Sequence, residues 1–231
     1  MFYGLTNIME IDLSNFDSSK VTIMREMFSH CSSLTSLNLL NFDTSSVIDM
    51  GFMFYNCSSL KTINLSTFNT SNLEAINSLF SYCKSLINID LSSFDTSSVS
   101  IMDYMFLNCT SLKSINLSNF NTSKVEYFQG MFSGCIELFS LDLSNFDTRS
   151  ALIIDGMFYE CNKLVYLNLS NFHFDNIFYA KNMFFNCTNL EYINLYNFQE
   201  KRYYEFDNMF EGVPDNLIYC INDPHNIRIK K

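Results

Sequence analysis

A 26-residue period runs the length of this chain without slippage. Met27-Phe28-Ser29-His30-Cys31 returns as Met53-Phe54-Tyr55-Asn56-Cys57 and as Met105-Phe106-Leu107-Asn108-Cys109. It starts again at Met131, Met157, Met183 and Met209. Leu79-Phe80 is the one pass without the Met, and Met1-Phe2 stands in phase. A fixed period of this size marks a stacked-repeat architecture, in which each unit buries its apolar face only against its neighbours. One elongated body is therefore expected, not the one or two globular domains that 231 residues would otherwise lead to.

The pattern inside one repeat sets its path. In residues 27–52, Leu34, Leu37 and Leu39 read L-x-x-L-x-L, and the last two alternate with Ser36, Asn38 and Leu40 as in a strand. Strands that recur once per coil pair in parallel with their copies, about 4.8 Å apart. Asn41-Phe42-Asp43-Thr44-Ser45 follows, a corner whose Asp, Thr and Ser side chains bond nearby backbone. Phe42 lies among these polar residues and is expected to point inward and stack on Phe16 and Phe68. Val47, Met50, Met53, Phe54 and Cys57 have the spacing of one helix face, so a helical or 3₁₀ segment is expected there. Seventeen of the 24 Phe occupy two repeat slots, which assigns them to the core and not to a Phe-rich binding groove.

Cys57-Ser58-Ser59-Leu60 and Leu143-Ser144-Asn145-Phe146-Asp147-Thr148 carry a family likeness. The layout resembles the leucine-rich repeat family, in particular BspA-like surface proteins with bacterial lipoprotein-type repeats. Their text is MF-x-x-C-x-S-L-x-x-L-x-L-S-N-F-D-T-S-x-V, and the resemblance covers essentially the whole chain. It implies an α/β leucine-rich solenoid, a horseshoe or arc with a parallel sheet on the concave side and short helical or 3₁₀ segments opposite. It also implies display at a cell surface or outside the cell, as an adhesion module. In the slot where the commonest leucine-rich pattern has an inward Asn, this chain has Phe42. Residues 1–208 divide into eight in-phase repeats. Residues 209–231 read as a C-terminal capping repeat and tail, because Val213-Pro214 replaces Cys-Ser and Leu217-Ile218-Tyr219-Cys220-Ile221 runs one residue out of phase. The first repeat shows no comparable cap, which leaves end-to-end self-association open as one mode of partnering.

The chemistry-bearing residues argue against catalysis. A net charge of −10 argues against a nucleic-acid partner, which needs a basic stripe, and none is expected. No stretch is apolar enough to insert in a membrane, and the chain opens on repeat framework, not on a signal peptide. Cytoplasmic residence thus stays open beside the surface reading. Cys31, Cys57, Cys83, Cys109, Cys135, Cys161 and Cys187 are 26 residues apart and lack zinc-site spacing. Leu5 and Val213 fill the same slot at the two ends, so buried free thiols are expected rather than disulfides or a metal site. His30, His173 and His225 fall at unrelated repeat positions with no nucleophile beside them. Asp17, Asp43, Asp95 and Asp147 share a corner slot with Asn69, Asn121 and His173, which fits local capping better than calcium. Eight N-x-[ST] sequons are by-products of the repeat text. No cofactor is expected.

The outward strand positions remain as the informative set. For most of the length they are Ser, Asn, Thr and Asp, and near the C-terminal end the wall turns aromatic. Phe139, Tyr166, Tyr192 and Tyr196 are the candidate binding residues, since Tyr offers rigid amphipathic area. The competing surface is convex, where Tyr3, Tyr55, Tyr82 and Tyr159 occupy variable slots. The expected function is non-catalytic recognition of a protein or glycan partner. An intracellular protein–protein scaffold is the alternative, favoured by free thiols.

Overall fold

The computed structural model describes residues 1–198 and 207–221. Each 26-residue pass closes one turn of a coil, and successive coils stack through backbone ladders on three walls.

The first wall is the parallel sheet. Strands β1 (Ser140–Asp142), β2 (Tyr166–Asn168), β3 (Tyr192–Asn194) and β4 (Ile218–Cys220) lie in that order. The register steps by one repeat each time, aligning Leu141 with Leu167, Leu167 with Ile193 and Ile193 with Tyr219. Regular strands begin only at Ser140 among the described residues. Earlier coils follow the same path through single bonds, such as Thr35 N–H to the Met9 carbonyl at 3.2 Å and Lys113 N–H to that of Ile87 at 3.1 Å. The outward side chains account for the difference. Ser36 and Thr62 offer little cross-strand contact, whereas Tyr166 and Tyr192 stack and favour a pleated backbone. The buried middle residue tightens accordingly, from 7% exposed at Leu37 and 8% at Ile63 to 0% at Leu167 and Ile193.

The corner after each strand is built by two kinds of side-chain bond. Asx turns occur twice in each of the first six coils: Ser66 N–H donates to Asn64 Oδ1 at 3.0 Å, and Ser97 N–H to Asp95 Oδ1 at 2.9 Å. The Asp/Asn corner slot therefore caps its own turn, as expected. Thr behaves differently from the local role expected of it. Buried Thr96 reaches into the next coil, donating to the Asn121 carbonyl at 2.9 Å and accepting the Asn121 N–H at 2.8 Å. Thr44, Thr70, Thr122 and Thr148 make the same clasp. A second wall follows, where parallel bridges join Ile23, Asp49, Ala75, Ile101, Tyr127, Ile153 and Tyr179 in one column.

The third wall corrects the helical expectation, for no helix occurs among the described residues. The Val-Met-Met-Phe-Cys spacing instead belongs to a ladder of turns. Met53, Tyr55 and Cys57 N–H groups bond three residues back, to Met50, Phe52 and Phe54. The intervening Phe52, Phe54 and Asn56 N–H groups point forward, to the carbonyls of Asn77, Leu79 and Ser81 in the next coil. Two left-handed residues per coil redirect these groups, here Phe52 (φ 58°) and Asn56 (φ 56°). An α-helix would spend all the N–H groups within one coil. In this wall alternate N–H groups bind the coils to each other.

Inside the walls, Phe2, Phe28, Phe54, Phe80, Phe106, Phe132, Phe158, Phe184 and Phe210 form one unbroken stack with centroids 5.1–5.8 Å apart. The second Phe column is interrupted. Phe16 stacks on Phe42 at 5.3 Å as expected, but no ring contact joins Phe42 to Phe68, and Phe42 leans on Phe28 at 6.5 Å. The stack resumes at Phe68–Phe94 and again from Phe120 to Phe172. The seven ladder cysteines are buried free thiols. Each donates to a Phe carbonyl, as Cys83 Sγ does to Phe54 O at 3.1 Å. The slot thus takes a small apolar group that is also a weak donor.

The last coil is described to Ile221. Met209 and Phe210 are buried, and Val213, Leu217 and Ile221 pack against the core. The backbone does not slip as the letters do. Tyr219 lies opposite Ile193, so β4 stays in the common register and Ile221 keeps the slot of Leu195. Residues 222–231 of the expected cap lie outside the described residues.

Candidate binding surface

The sheet wall presents three outward columns, and one of them is spent on structure. Asp12, Asn38, Asn64, Asp90, Asn116, Asp142, Asn168 and Asn194 each accept the N–H two residues on. A ligand would have to compete with those turns. Hydrogen bonds from Ser14 and Ser92 hold the Asp12 and Asp90 carboxyls below the usual range.

The neighbouring column is free of such duties at its C-terminal end. Register places Ser140, Tyr166, Tyr192 and Ile218 side by side. The Tyr166 and Tyr192 rings stack at 5.1 Å, within 4° of parallel. Exposure is 60% at Phe139, 40% at Tyr166, 47% at Tyr196 and 63% at Ile218, while Tyr192 is half-buried. The structure therefore joins two of the four expected residues directly. Phe139 is exposed on the coil before the pair and Tyr196 on the coil of Tyr192, but neither ring stacks on the pair. Partial burial, then the Asp142 carboxylate, then Tyr192 push the Tyr166 hydroxyl up, so it stays a neutral donor. Ile218 was not among the expected residues. Its signal was hidden because the apolar letters of the last repeat shift at Leu217 while the backbone keeps step.

On the turn wall, Tyr3, His30, Tyr55 and Tyr82 form an edge-to-face run with centroids at 5.3, 5.1 and 5.5 Å. Asn56 Nδ2 lies 3.1 Å from His30 Nδ1. Tyr159 stacks on Phe185 at 5.0 Å. His173 belongs to the corner, its N–H donating to Thr148 Oγ1 at 2.7 Å. A shallow cleft at the N-terminal end is lined by Ile11, Asp12, Leu13, Ser14, Asn38 and Asn41, and its Asp12 and Asn38 oxygens already accept backbone bonds. Among the described residues no group of three His, Cys, Asp or Glu could hold a metal ion, and no helix is long and apolar enough to cross a membrane.

Parallel strands on one wall, a consistent 26-residue register and inward Leu/Ile define a leucine-rich repeat solenoid. The chain belongs to the family described as "Mycoplasma protein of unknown function, DUF285", whose model matches residues 1–115 and 102–217. No curated protein matches. A T. pallidum leucine-rich repeat protein is 22% identical over 82% of this chain and 68% of its own, with a TM-score of 0.45. One from Bacteroides ovatus is 22% identical over 93% of this chain and 59% of its own, at 0.40. A leucine-rich cell surface protein from Faecalibacterium prausnitzii is 17% identical over 96% of this chain and 75% of its own, at 0.33.

Proposed function

We propose that this chain is a non-catalytic binding or adhesion module that recognises a protein or glycan partner through its sheet wall, as part of a cell-surface protein. The stacked, solvent-facing Tyr166–Tyr192 pair, extended by Ile218, supports this reading most directly. An aromatic anchor in a wall of Ser and Asn is the kind of group on which binding energy concentrates. A long ladder wall suits extended partners and lacks the enclosed pocket that chemistry prefers. In the same reading, residues 209–231 act as the cap, and Phe139 and Tyr196 widen the contact. The buried thiols favour a second setting, an intracellular scaffold using the same wall.

The test is capture of a partner on the immobilised chain, followed by alanine sets on two walls. Tyr166→Ala/Tyr192→Ala should weaken binding by about 2 kcal/mol or more, and Tyr55→Ala/Tyr82→Ala should leave it unchanged. The reverse outcome moves recognition to the turn wall. Turnover of a substrate that depends on His30 or His173 would overturn the non-catalytic reading.

A further inference from the structure

The bridge wall carries a second unpartnered stripe, separate from the sheet wall. Its parallel column reads Ile23, Asp49, Ala75 and then Ile101, Tyr127, Ile153 and Tyr179. The last four are apolar or aromatic and face outward, with Leu152 beside them. Ile101, Tyr127, Leu152 and Ile153 are half-buried, and Tyr179 is 44% exposed. The stripe ends at its N-terminal side where Asp49 pairs with Arg25 at 3.3 Å.

Acidic residues flank it on both sides. Glu74, beside Ala75, and Glu126 belong to the column before it, which turns apolar at Leu152 and exposed Phe178, and Asp103 and Asp155 belong to the column two residues after it, where Asp155 also accepts the Lys181 N–H at 2.6 Å. Glu74 and Glu126 are exposed. Burial pushes the half-buried Asp103 carboxyl up, and its own backbone N–H and the Arg25 charge pull it the other way. The cations in the flanking column sit at its ends, Arg25 with Asp49 and Lys181 with Asp207 at 4.0 Å.

Spacing selects the occupant. Neighbouring coils are about 4.8 Å apart, so the step from Ile101 to Tyr179 spans roughly 14 Å. Same-side residues of an extended peptide recur every ~6.7 Å and lose register with the coils after one step. Apolar residues at i, i+3, i+7 and i+10 of a helix advance by about 5 Å each and keep pace. We propose that the bridge wall from Ile101 to Tyr179 docks a cationic amphipathic helix of a partner protein, laid along the coil axis. Its apolar face covers Ile101, Tyr127, Ile153 and Tyr179, and its Lys or Arg residues reach the acids on either side.

The probe is a fluorescein-labelled helical peptide with Leu at those four spacings and Lys on its remaining faces. Anisotropy is read against the whole chain at about 0.15 M salt, where loose ionic attraction is screened. Saturable binding is expected, and a scrambled peptide of equal composition, or one with Glu for Lys, should bind at least about tenfold more weakly. Tyr127→Ser/Ile153→Ser and, separately, Glu74→Lys/Glu126→Lys should each cost about tenfold. The charge variant alters exposed side chains only, so it decides the matter if the first variant loses its fold. Tyr166→Ala/Tyr192→Ala should change the affinity by less than about twofold, which separates this site from the sheet wall. Absence of saturable binding, equal binding of the scrambled peptide, or parental affinity in the charge variant overturns the proposal. So does a dimer in sedimentation that Tyr127→Ser/Ile153→Ser dissolves, since the wall would then be covered by a second copy.

Discussion

Phe80 and Phe106, one repeat apart, hold their rings 5.7 Å apart and 10° from parallel, and neither is exposed. They are the middle of the nine-ring stack, so each ring has neighbours on both faces. Phe106→Ala should destabilise the protein by about 3–5 kcal/mol through lost transfer energy and the cavity left behind. Phe106→Leu should cost distinctly less. Urea unfolding followed by circular dichroism reads both. A midpoint unchanged in Phe106→Ala would contradict the inward stack.

Thr96 ties its coil to the next through one hydroxyl that both donates and accepts. Thr96→Val keeps the shape and removes both bonds, leaving the part-buried Asn121 N–H and carbonyl without that partner. The expected cost is about 1–3 kcal/mol. Thr96→Ser should recover most of it, because the hydroxyl and not the methyl makes the clasp. Thermal melts of the pair distinguish a hydrogen-bonding role from a packing one.

Burial pushes the Cys83, Cys135 and Cys187 thiols up to about 12. At pH about 8 such groups hold roughly three orders of magnitude less thiolate than an ordinary cysteine, and access is closed as well. Native alkylation read by mass spectrometry should label exposed Cys220 quickly and the seven ladder cysteines slowly. Rapid labelling of most of the ladder would show that the coil opens far more readily than its packing implies.

The exposed corner carboxyls make stability fall with acid. Hydrogen bonds from Ser19 and Ser45 lower the Asp17 and Asp43 pKa values, as those from Ser97 lower that of Asp95. A lowered folded-state pKa means the unfolded chain binds protons first. The contribution is then full above the unfolded value of about 3.9 and is lost as pH drops through the folded value. The Tm should therefore decline below pH about 4. The triple variant Asp17→Asn/Asp43→Asn/Asp95→Asn should flatten that decline, since Asn69 and Asn121 already make the same turn uncharged.

Much of this is readable from letters. The Leu trio, the inward Cys slot and the Tyr166–Tyr192 column all follow from period and parity. The turn wall does not, because Val47, Met50, Met53, Phe54 and Cys57 face inward whether their backbone is an α-helix or alternating turns. What separates the two is where the N–H of Phe54 goes, and its partner is Leu79, in the next coil. The available hint was Gly130 with Gly134, and Asn182 with Asn186, at left-handed positions four residues apart. At Gly130 a Cβ would lie 2.6 Å from the Tyr104 ring, so a close approach adds to the need for glycine. The Thr clasp was equally hidden, since Asp-Thr-Ser describes a local turn and its partner lies in the following repeat.

Backbone bonds on the sheet, bridge and turn walls have a mechanical consequence. A coil tied along one edge can hinge open like a book. A coil tied around its perimeter flexes only by stretching a row of N–H···O bonds, so load applied at one end is shared by every wall. For a module that holds on to something, resistance to pulling would then come from the shaft itself and not from the grip alone.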